Sequence, residues 1–346
     1  MPIAASTPIG ISVRIAVVGG TGNIGARLCR EALAGGHHVR IMTRGGAAAR
    51  ELVALGAEPF VGSFDSGTPG AEEFFENADA AFTMVRSDWS VVDHYPVVAQ
   101  RLATALRRHT PGLVVNLSAV GADLTNAGHS SGFGVLERAL DAVLGARTVH
   151  LRAGWFMENF LAHVDGTARF GVLATMIRPE IALPAVAIED VARAAAEELL
   201  GHSAALDGVR EVQGPADLTM AEAADCIAGA IGRSVRLVHI SPTDHVVGGA
   251  FLQRFGSAEH WAHQVASDAA FNEGRARFHR PRTDFDLGSL PFAEFVDEVW
   301  KPAYLSAVGR TDPEPATFQA WMDGYGSREV QRHRPPAARQ DGAAPA

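Results

Sequence analysis

A glycine-rich turn near the start of the chain constrains the fold more than any other feature of the sequence. It follows a short segment rich in β-branched residues, Arg14–Val18, and reads Gly19-Gly20-Thr21-Gly22-Asn23-Ile24-Gly25. The first glycine permits a tight turn, the third lets backbone approach a ligand, and the fourth allows close packing of a helix on a strand. A helix beginning here would offer its free N–H groups to phosphate oxygens. Strand, turn and helix in this order predict a dinucleotide-binding site.

The rest of the first half alternates between short apolar segments and amphipathic ones. Strands are predicted at Arg14–Val18, His38–Thr43, Glu58–Val61, Ala80–Val85, Leu113–Leu117 and Thr148–Leu151. Helices are predicted at Ile24–Ala34, Ala47–Leu55, Gly70–Glu76, Val92–Arg108 and Val135–Leu144. This alternation is typical of βαβ units, whose right-handed crossovers place helices on both faces of a parallel sheet. The sequence therefore predicts an α/β fold with a Rossmann-type, doubly wound parallel sheet.

Beyond Gly154 the pattern changes to a smaller, mainly helical C-terminal substrate domain. Its predicted elements are Val191–Leu200, Arg210–Gln213, Thr219–Ile231 with a Thr219/Glu222 capping box, Val235–Ile240, Phe251–Phe278 and Leu290–Trp300. We expect a flexible N-terminus at 1–12 and an NAD(P)-binding domain at 13–162, to which segments around 183–215 return. The substrate or lid region then spans 163–305, and a C-terminal extension, 306–346, is expected to be disordered from about 327.

Composition narrows the classes of function. The 346 residues carry a formal net charge of −9 and only two cysteines, Cys29 and Cys226. An acidic chain is a poor general binder of nucleic acid, and two distant cysteines suit a reducing cytoplasm rather than a disulfide framework. No apolar run approaches the ~20 residues that span a bilayer, and zinc-type Cys/His spacing is absent. We expect a cytoplasmic protein with a small-molecule substrate and with no metal, membrane or nucleic-acid partner; a homodimer is left open.

The end of the second predicted strand indicates which dinucleotide binds. NAD-binding domains place an acid there, about 20 residues after the turn, to bind the ribose 2′-hydroxyl. Here the strand ends Ile41-Met42-Thr43-Arg44, without Asp or Glu. The planar guanidinium of Arg44 can pair with a 2′-phosphate, and Thr43 can add a hydroxyl contact. The sequence therefore favours NADP(H) over NAD(H), although a solvated Arg44 in a loop is the alternative.

Several blocks in order resemble the NmrA-like branch of the atypical short-chain dehydrogenase/reductase family. They cover about Val13 to Val299 and are VVGGTGNIG (Val17–Gly25), VVNLSAVGAD (Val114–Asp123), LERAL (Leu136–Leu140), LRAGWFMENF (Leu151–Phe160), LPAVAIEDVARAA (Leu183–Ala195) and VQGPADLTMAEAA (Val212–Ala224). The resemblance implies a cofactor that lies across the strand ends. The residues it assigns to the cofactor, besides Thr43 and Arg44, are Gly19, Thr21, Gly22, Asn23, Ile24, Gly25, Met84, Val85, Ser118, Phe133, Gly154, Trp155 and Phe156.

One departure from the family pattern affects catalysis. Typical short-chain reductases use a Tyr that donates a proton and a Lys four residues later that lowers the pKa of the Tyr. Aligned on Glu137, the Lys position falls on Phe133 and the Tyr position lies near His129. His129 and Ser118 are the candidate catalytic residues, since histidine titrates near neutrality and a serine can bind a carbonyl. The alternatives are a solvated His129 in a flexible polar loop and a Ser118 that merely closes a strand.

Aromatic residues after the strand ends predict the substrate. The candidate pocket residues are Trp89, Trp155, Phe156 and Asn159. They favour an NADPH-dependent reductase of a small aromatic or conjugated substrate of the quinone, enone or carbonyl type. Two other classes stay open, because the family also includes regulators: an NAD(P)-sensing regulator without turnover, and a redox-neutral enzyme that retains its cofactor.

Overall fold

The structure, a computed structural model, describes residues 12–86, 94–201, 208–242, 258–281 and 287–308. Strands and helices are numbered along the chain. The central sheet contains β1 (Arg14–Val17), β2 (His38–Thr43), β3 (Glu58–Val61), β4 (Ala80–Thr83), β5 (Leu113–Ala119), β6 (Thr148–Ala153) and β11 (Val209–Val212). Its order is β11-β6-β5-β4-β1-β2-β3, and every pair is parallel. The predicted Rossmann-type sheet is confirmed.

Helices cover both faces of this sheet, as right-handed crossovers require. One face packs on α1 (Asn23–Ala34), α2 (Ala47–Ala54) and α6 (Ile188–Leu199), and its core includes Ile15, Val17, Leu28 and Val191. The other face packs on α3 (His94–Arg108), α4 (His129–Leu144) and a 3₁₀ segment, Ala71–Phe75. Two hydrophobic layers therefore cover the two faces of the sheet, and loops follow the carboxyl ends of its strands.

A smaller region follows β6 and has its own core. Its helices are α5 (Val164–Phe170), α7 (Met220–Ile231), α8 (Ala258–Asn272), α9 (Phe292–Phe295) and α10 (Lys301–Val308), with a 3₁₀ segment at Met157–His163 and a π-helical turn at Val296–Trp300. Six short strands pair two by two: β7 (Trp155–Phe156) with β10 (Ala185–Val186), β9 (Ala182–Leu183) with β12 (Leu218–Thr219), and β8 (Val172–Thr175) with β13 (Arg236–His239). The buried Trp300 indole donates to the Phe160 carbonyl at 2.9 Å at the centre of this region.

The predicted capping box of α7 is confirmed. The Thr219 hydroxyl accepts the Glu222 N–H at 3.1 Å, and the Glu222 carboxylate accepts the Thr219 N–H at 2.8 Å. Two free N–H groups at the helix start are satisfied in this way. None of the helices in the described ranges is long and apolar enough to cross a membrane.

Several predicted boundaries and one helix type differ from the structure. Helix α4 was expected to begin at Val135, but it begins at His129, so the supposed flexible loop around His129 is partly helical. The predicted helix Gly70–Glu76 is a 3₁₀ segment, Ala71–Phe75. Parts of other predictions, namely Val92, Phe251 to Ser257 and both chain ends, lie outside the described residues.

Candidate functional site

The carboxyl ends of the parallel strands meet at one edge of the sheet. The chain leaves β1 toward β2 on one side and returns to β4 on the other, so the strand order reverses between β1 and β4. Such a switch point leaves a crevice in which α/β proteins bind ligands. The glycine turn follows β1 and Met84 follows β4, so both predicted elements border this crevice.

The glycine turn has the tight geometry that its sequence predicted. Gly19 has a φ of +75°, where a side chain would be strained, and its carbonyl accepts the Gly22 N–H at 2.9 Å. A Cβ added to Gly25 would overlap that same carbonyl, so α1 packs directly on the turn. Helix α1 begins at Asn23 with Gly22 as its N-cap, and Gly22 has no side chain to cap the helix. The first N–H groups of α1 are therefore left to face the crevice.

Met84 contacts the glycine turn directly. A Cβ added to Gly19 would lie 2.5 Å from the Met84 sulfur, so the Met84 side chain packs directly against this glycine. Met84 and Phe156 are half-buried against the same hydrophobic cluster as Ile24. Val85 is buried on the other side of the sheet. The structure thus places Met84 against the turn, and Phe156 packs on the same core cluster of the Rossmann region.

Thr43 and Arg44 close the end of β2. The Thr43 hydroxyl is buried and accepts the Gly45 N–H at 2.9 Å, which bends the chain after the strand. Arg44 is exposed and makes no ion pair or hydrogen bond with any other described residue. An unpaired guanidinium at this position leaves its N–H groups available to an anion.

Ser118 contacts a buried ion pair. Its hydroxyl donates to Glu137 of α4 at 2.6 Å, and Arg152 of β6 binds the same carboxylate twice, at 2.9 and 2.7 Å. Ser118 and Glu137 are both buried. The bidentate geometry ties β5, β6 and α4 together beside the crevice. The hydroxyl of Ser118 is therefore oriented toward α4.

The ion pair controls the charge of its members. Burial acts to raise the pKa of Glu137, but the hydrogen bonds from Arg152 and Ser118 outweigh it, so the pKa lies below its ordinary value. Hydrogen bonding to Glu137 in turn raises the pKa of Arg152. Asp123 lies 3.7 Å from Arg152 and also accepts from His279 at 2.9 Å. The Glu137–Arg152 pair is ionised at neutral pH, and Asp123 connects it to His279 in the segment that follows α8.

His129 and Phe133 lie on the first two turns of α4. The His129 N–H donates to the Ser267 hydroxyl of α8 at 2.9 Å, and its half-buried ring lies 6.0 Å from the His263 ring. His129 is therefore not the solvated loop residue of the alternative interpretation, because α8 packs on it. The Phe133 ring packs edge-on against Tyr95 of α3. Phe133 thus fills the space between two helices.

The two aromatic residues after β6 face different sides. Trp155 packs against Phe160 in the smaller region, with ring centroids 4.9 Å apart, whereas Phe156 packs on the Rossmann core. Consecutive residues of β7 point to opposite faces, so the two side chains do not line one wall together. Asn159 is exposed, and Trp89 lies outside the described residues. Gly154 is required here, since a Cβ on it would overlap the Pro184 carbonyl.

A second buried polar chain was missed from the sequence. Thr83 of β4 donates to Asn116 of β5 at 3.0 Å, the Asn116 amide contacts His150 of β6 at 3.2 Å, and His150 contacts Asp141 of α4 at 3.0 Å. Each residue is ordinary in its own segment, and only the strand register places the three strand residues side by side. The Glu137–Arg152 pair was missed because only the packing of α4 on β6 brings the two residues together, although both stood within the family blocks.

The fold and the crevice define a class, the Rossmann-type α/β proteins with a dinucleotide-type glycine turn. Residues 12–108 match the model of the NmrA-like family. This match confirms the predicted resemblance to the NmrA-like family. Beyond residue 108, the described structure still has the fold of the solved NmrA structure. A comparison with curated proteins finds no match.

Solved structures with this fold include proteins of different activities. NmrA, a negative transcriptional regulator in complex with NADP, is 21% identical with a TM-score of 0.67, covering 87% of this chain and 98% of that one. An NADPH-dependent quinone oxidoreductase from Escherichia coli, complexed with NADPH, is 20% identical with a TM-score of 0.62, covering 91% and 99%. A triphenylmethane reductase from Citrobacter sp. is 16% identical with a TM-score of 0.63, covering 87% and 100%.

Proposed function

We propose that the protein is an NADPH-dependent reductase that transfers hydride to a small aromatic or conjugated substrate of the quinone, enone or carbonyl type. The observation that carries the proposal is the glycine turn at the β1/β4 switch point, where Gly25 packs on the Gly19 carbonyl and Met84 touches Gly19. The E. coli quinone oxidoreductase and the Citrobacter reductase, both with this fold, support a reductase rather than another use of the crevice.

The residues of the crevice fit a dinucleotide. The Gly22 N-cap leaves the start of α1 without a side-chain cap, so the N–H groups of Asn23 and Ile24 would bind the pyrophosphate beside Thr21. Met84 and Val85 would border the adenosine half, and Gly154 and Phe156 the nicotinamide. Ser118 and Phe133, assigned to the cofactor by family resemblance, would contribute from β5 and α4. Residues 13–162 with 183–215 would form the cofactor domain, and 163–305 the substrate region.

The preference for NADP(H) depends on Arg44. It is exposed, without a described partner, at the strand end where an NAD-binding domain has an acid. A 2′-phosphate would supply the anion that its guanidinium lacks, with Thr43 next to it. NmrA structures with NADP and with NAD show that this fold accepts both cofactors. Discrimination between NADP(H) and NAD(H) would therefore depend on the Arg44 side chain.

Bound NADPH supplies the hydride, and the protein orients the substrate and excludes water. Trp155 would form an apolar wall on the side of the smaller region, with Asn159 and Trp89 as further candidate contacts. A quinone or enone needs only one proton besides the hydride, so the missing Tyr/Lys pair does not prevent reduction. Ser118 donates to Glu137, which leaves its lone pairs, rather than its proton, toward other groups.

The second candidate is an NAD(P)-sensing regulator that binds cofactor without turnover. Two observations favour it: the absence of the usual Tyr/Lys pair, and the likeness to NmrA, a negative transcriptional regulator. A redox-neutral enzyme that retains its cofactor is a third candidate. All three candidates share the cofactor-binding site, and only the reductase consumes NADPH.

The test combines binding with turnover. NADPH and NADH are titrated by fluorescence, and oxidation of each is followed with a quinone, an enone and an aldehyde. Loss of a charge-assisted hydrogen bond costs about 1.5–3 kcal/mol, so Arg44→Ala should weaken NADPH roughly 10- to 100-fold. NADH binding should stay nearly unchanged. Arg107→Ala is the control, because Arg107 is an equally exposed arginine at the end of α3.

The results separate the candidates. Oxidation of NADPH with any of the three acceptors supports the reductase. Tight NADPH binding with no oxidation by any acceptor rejects it and leaves the regulator and the redox-neutral enzyme. Equal weakening of NADPH and NADH by Arg44→Ala would overturn the role of Arg44.

A further inference from the structure

Two loops flank the strand ends at which the adenosine half of the cofactor is proposed to bind. In the sheet order β4-β1-β2-β3, the loops after β3 and β4 lie on either side of the glycine turn and Arg44. They are called here the β3 loop, residues 62–68, and the β4 loop, residues 84–86. The Gly62 N–H donates to the Thr43 carbonyl at 3.0 Å, and the first residue of the β4 loop packs against the glycine turn. Both loops therefore contact the residues that border the proposed adenosine site.

Arg101 of α3 holds the β3 loop through its backbone. One guanidinium nitrogen, Nη1, donates to the carbonyls of Phe64 and Asp65 at 2.8 and 2.6 Å. Gly67, whose φ is +64°, lies against the same guanidinium, since a Cβ on it would be 2.8 Å from the Arg101 Cζ. Phe64 is buried, and its ring stacks on Phe75 with the centroids 5.8 Å apart. The turn of the β3 loop is therefore fixed by one arginine and one buried ring.

His94 lies two turns before Arg101 on the same face of α3 and joins the two loops. Its Nε2–H donates to the Arg86 carbonyl at 2.8 Å, and the Asp65 carboxylate lies 3.8 Å from the same nitrogen. The His94 ring is buried. Positions seven residues apart lie on one face of an α-helix, and Val98 between them packs in the core. One face of α3 therefore holds both the β3 loop and the β4 loop.

We propose that His94 and Arg101 are positioning residues for the adenosine half of the cofactor, because they fix the β3 and β4 loops in the arrangement that binds it. This inference rests on the cofactor site of the proposed function. Both side chains act through carbonyl groups of the loops and need not touch the reacting atoms. A loop that is ordered before the ligand arrives loses less conformational entropy on binding, which increases affinity. Since NADP(H) and NAD(H) share adenosine, the effect is the same for both, unlike that of Arg44.

The test measures the dissociation constants of NADPH, NADH and 2′,5′-ADP, the last by competition with NADPH. 2′,5′-ADP carries only the adenosine half with its 2′-phosphate. Arg101→Met removes both hydrogen bonds to the β3 loop and should weaken all three ligands by the same factor, roughly 10-fold. His94→Phe should act in the same direction through the β4 loop. His94→Gln, whose amide can still donate to the Arg86 carbonyl, should recover most of the affinity. Arg108→Met is the matched control, because Arg108 belongs to the same helix but pairs with Glu73 at its other end, at 2.6 Å.

Amide hydrogen exchange separates positioning from a general loss of stability. In Arg101→Met, exchange should become faster in residues 62–68, while the amides of β1 and β5 keep their wild-type protection. Faster exchange throughout the sheet would overturn the positioning role, since the weaker binding would then come from unfolding.

The affinities decide the rest. Unchanged binding of all three ligands by Arg101→Met and His94→Phe would overturn the role of these residues, and so would weaker NADPH binding with unchanged 2′,5′-ADP binding. In either case the wild type still binds cofactor, and the proposed function stands. A wild-type protein that binds neither NADPH nor NADH overturns the cofactor site itself, and the proposed function with it.

Discussion

Replacing Glu137 with Leu tests the buried ion pair most directly. The change removes three hydrogen bonds at once, two from Arg152 and one from Ser118. The exposed fraction of the side chain is only 8% for Glu137 and 15% for Arg152, so water replaces little of what is lost. Arg152 would then keep the ion pair with Asp123, at 3.7 Å, and a weaker electrostatic interaction with Glu211.

The magnitude follows from these contacts. Breaking a buried ion pair by removing one partner costs about 3–5 kcal/mol, because the other charge is left buried and unpaired. Asp123 offsets part of this cost, so we expect the free energy of unfolding to fall by about 3 kcal/mol. At about 2–4 °C per kcal/mol for a large domain, the melting temperature should drop by roughly 6–12 °C.

The assay is a double-mutant cycle of Glu137→Leu, Arg152→Met and both together, measured by urea and thermal unfolding. The double variant replaces the pair with apolar side chains and should be more stable than Glu137→Leu, because no unpaired charge remains. A loss below about 1 kcal/mol in the single variant would refute the reasoning. So would a double variant whose loss equals the sum of the two single losses, since the residues would then act independently.

Three further properties can be measured on the same protein. The pKa of Glu137 is lowered on folding, so the stabilising effect of its charge is present at neutral pH and is lost as pH falls through the folded pKa; the wild-type advantage over Glu137→Leu should therefore shrink in acid, and a constant difference down to pH 3 would contradict this. Desolvation lowers the pKa of His163 to about 4, so its neutral form is favoured in the fold and stability should fall between pH 6.5 and 4; His163→Phe should lessen this fall in urea titrations, and an unchanged pH dependence would count against it. Burial raises the pKa of the Cys29 thiol to about 12, so a thiol reagent at pH 8 should label at most Cys226 in the native protein and both cysteines in denaturant; rapid labelling of two native thiols would disprove the buried position.

The strands and the fold class of the sheet could be predicted from the sequence because their signals are local. Alternation of apolar strands with amphipathic helices, together with right-handed crossovers, leaves few arrangements, and six of the seven sheet strands begin where their patterns predicted. The glycine turn was equally readable, since glycine is needed at 19 because of its own φ of +75° and at 25 because of the nearby Gly19 carbonyl.

The start of α4 was harder to predict. The residues Asn126 to Gly132 contain glycines and serines that are typical of a loop. The structure shows that Ser267, from a helix more than 130 residues later, binds the His129 N–H and supports the first turn of α4. A tertiary contact of this kind overrides local propensity and leaves no signal in the segment itself.

The charged residues near the site could be recognised from the sequence, but their pairing could not, because it depends on tertiary packing. Glu137 and Arg152 each stand in a recognisable block, but their pairing depends on β5 and β6 lying side by side beneath α4. That pairing commits both charges to structure, so neither is free to act as an acid near the crevice.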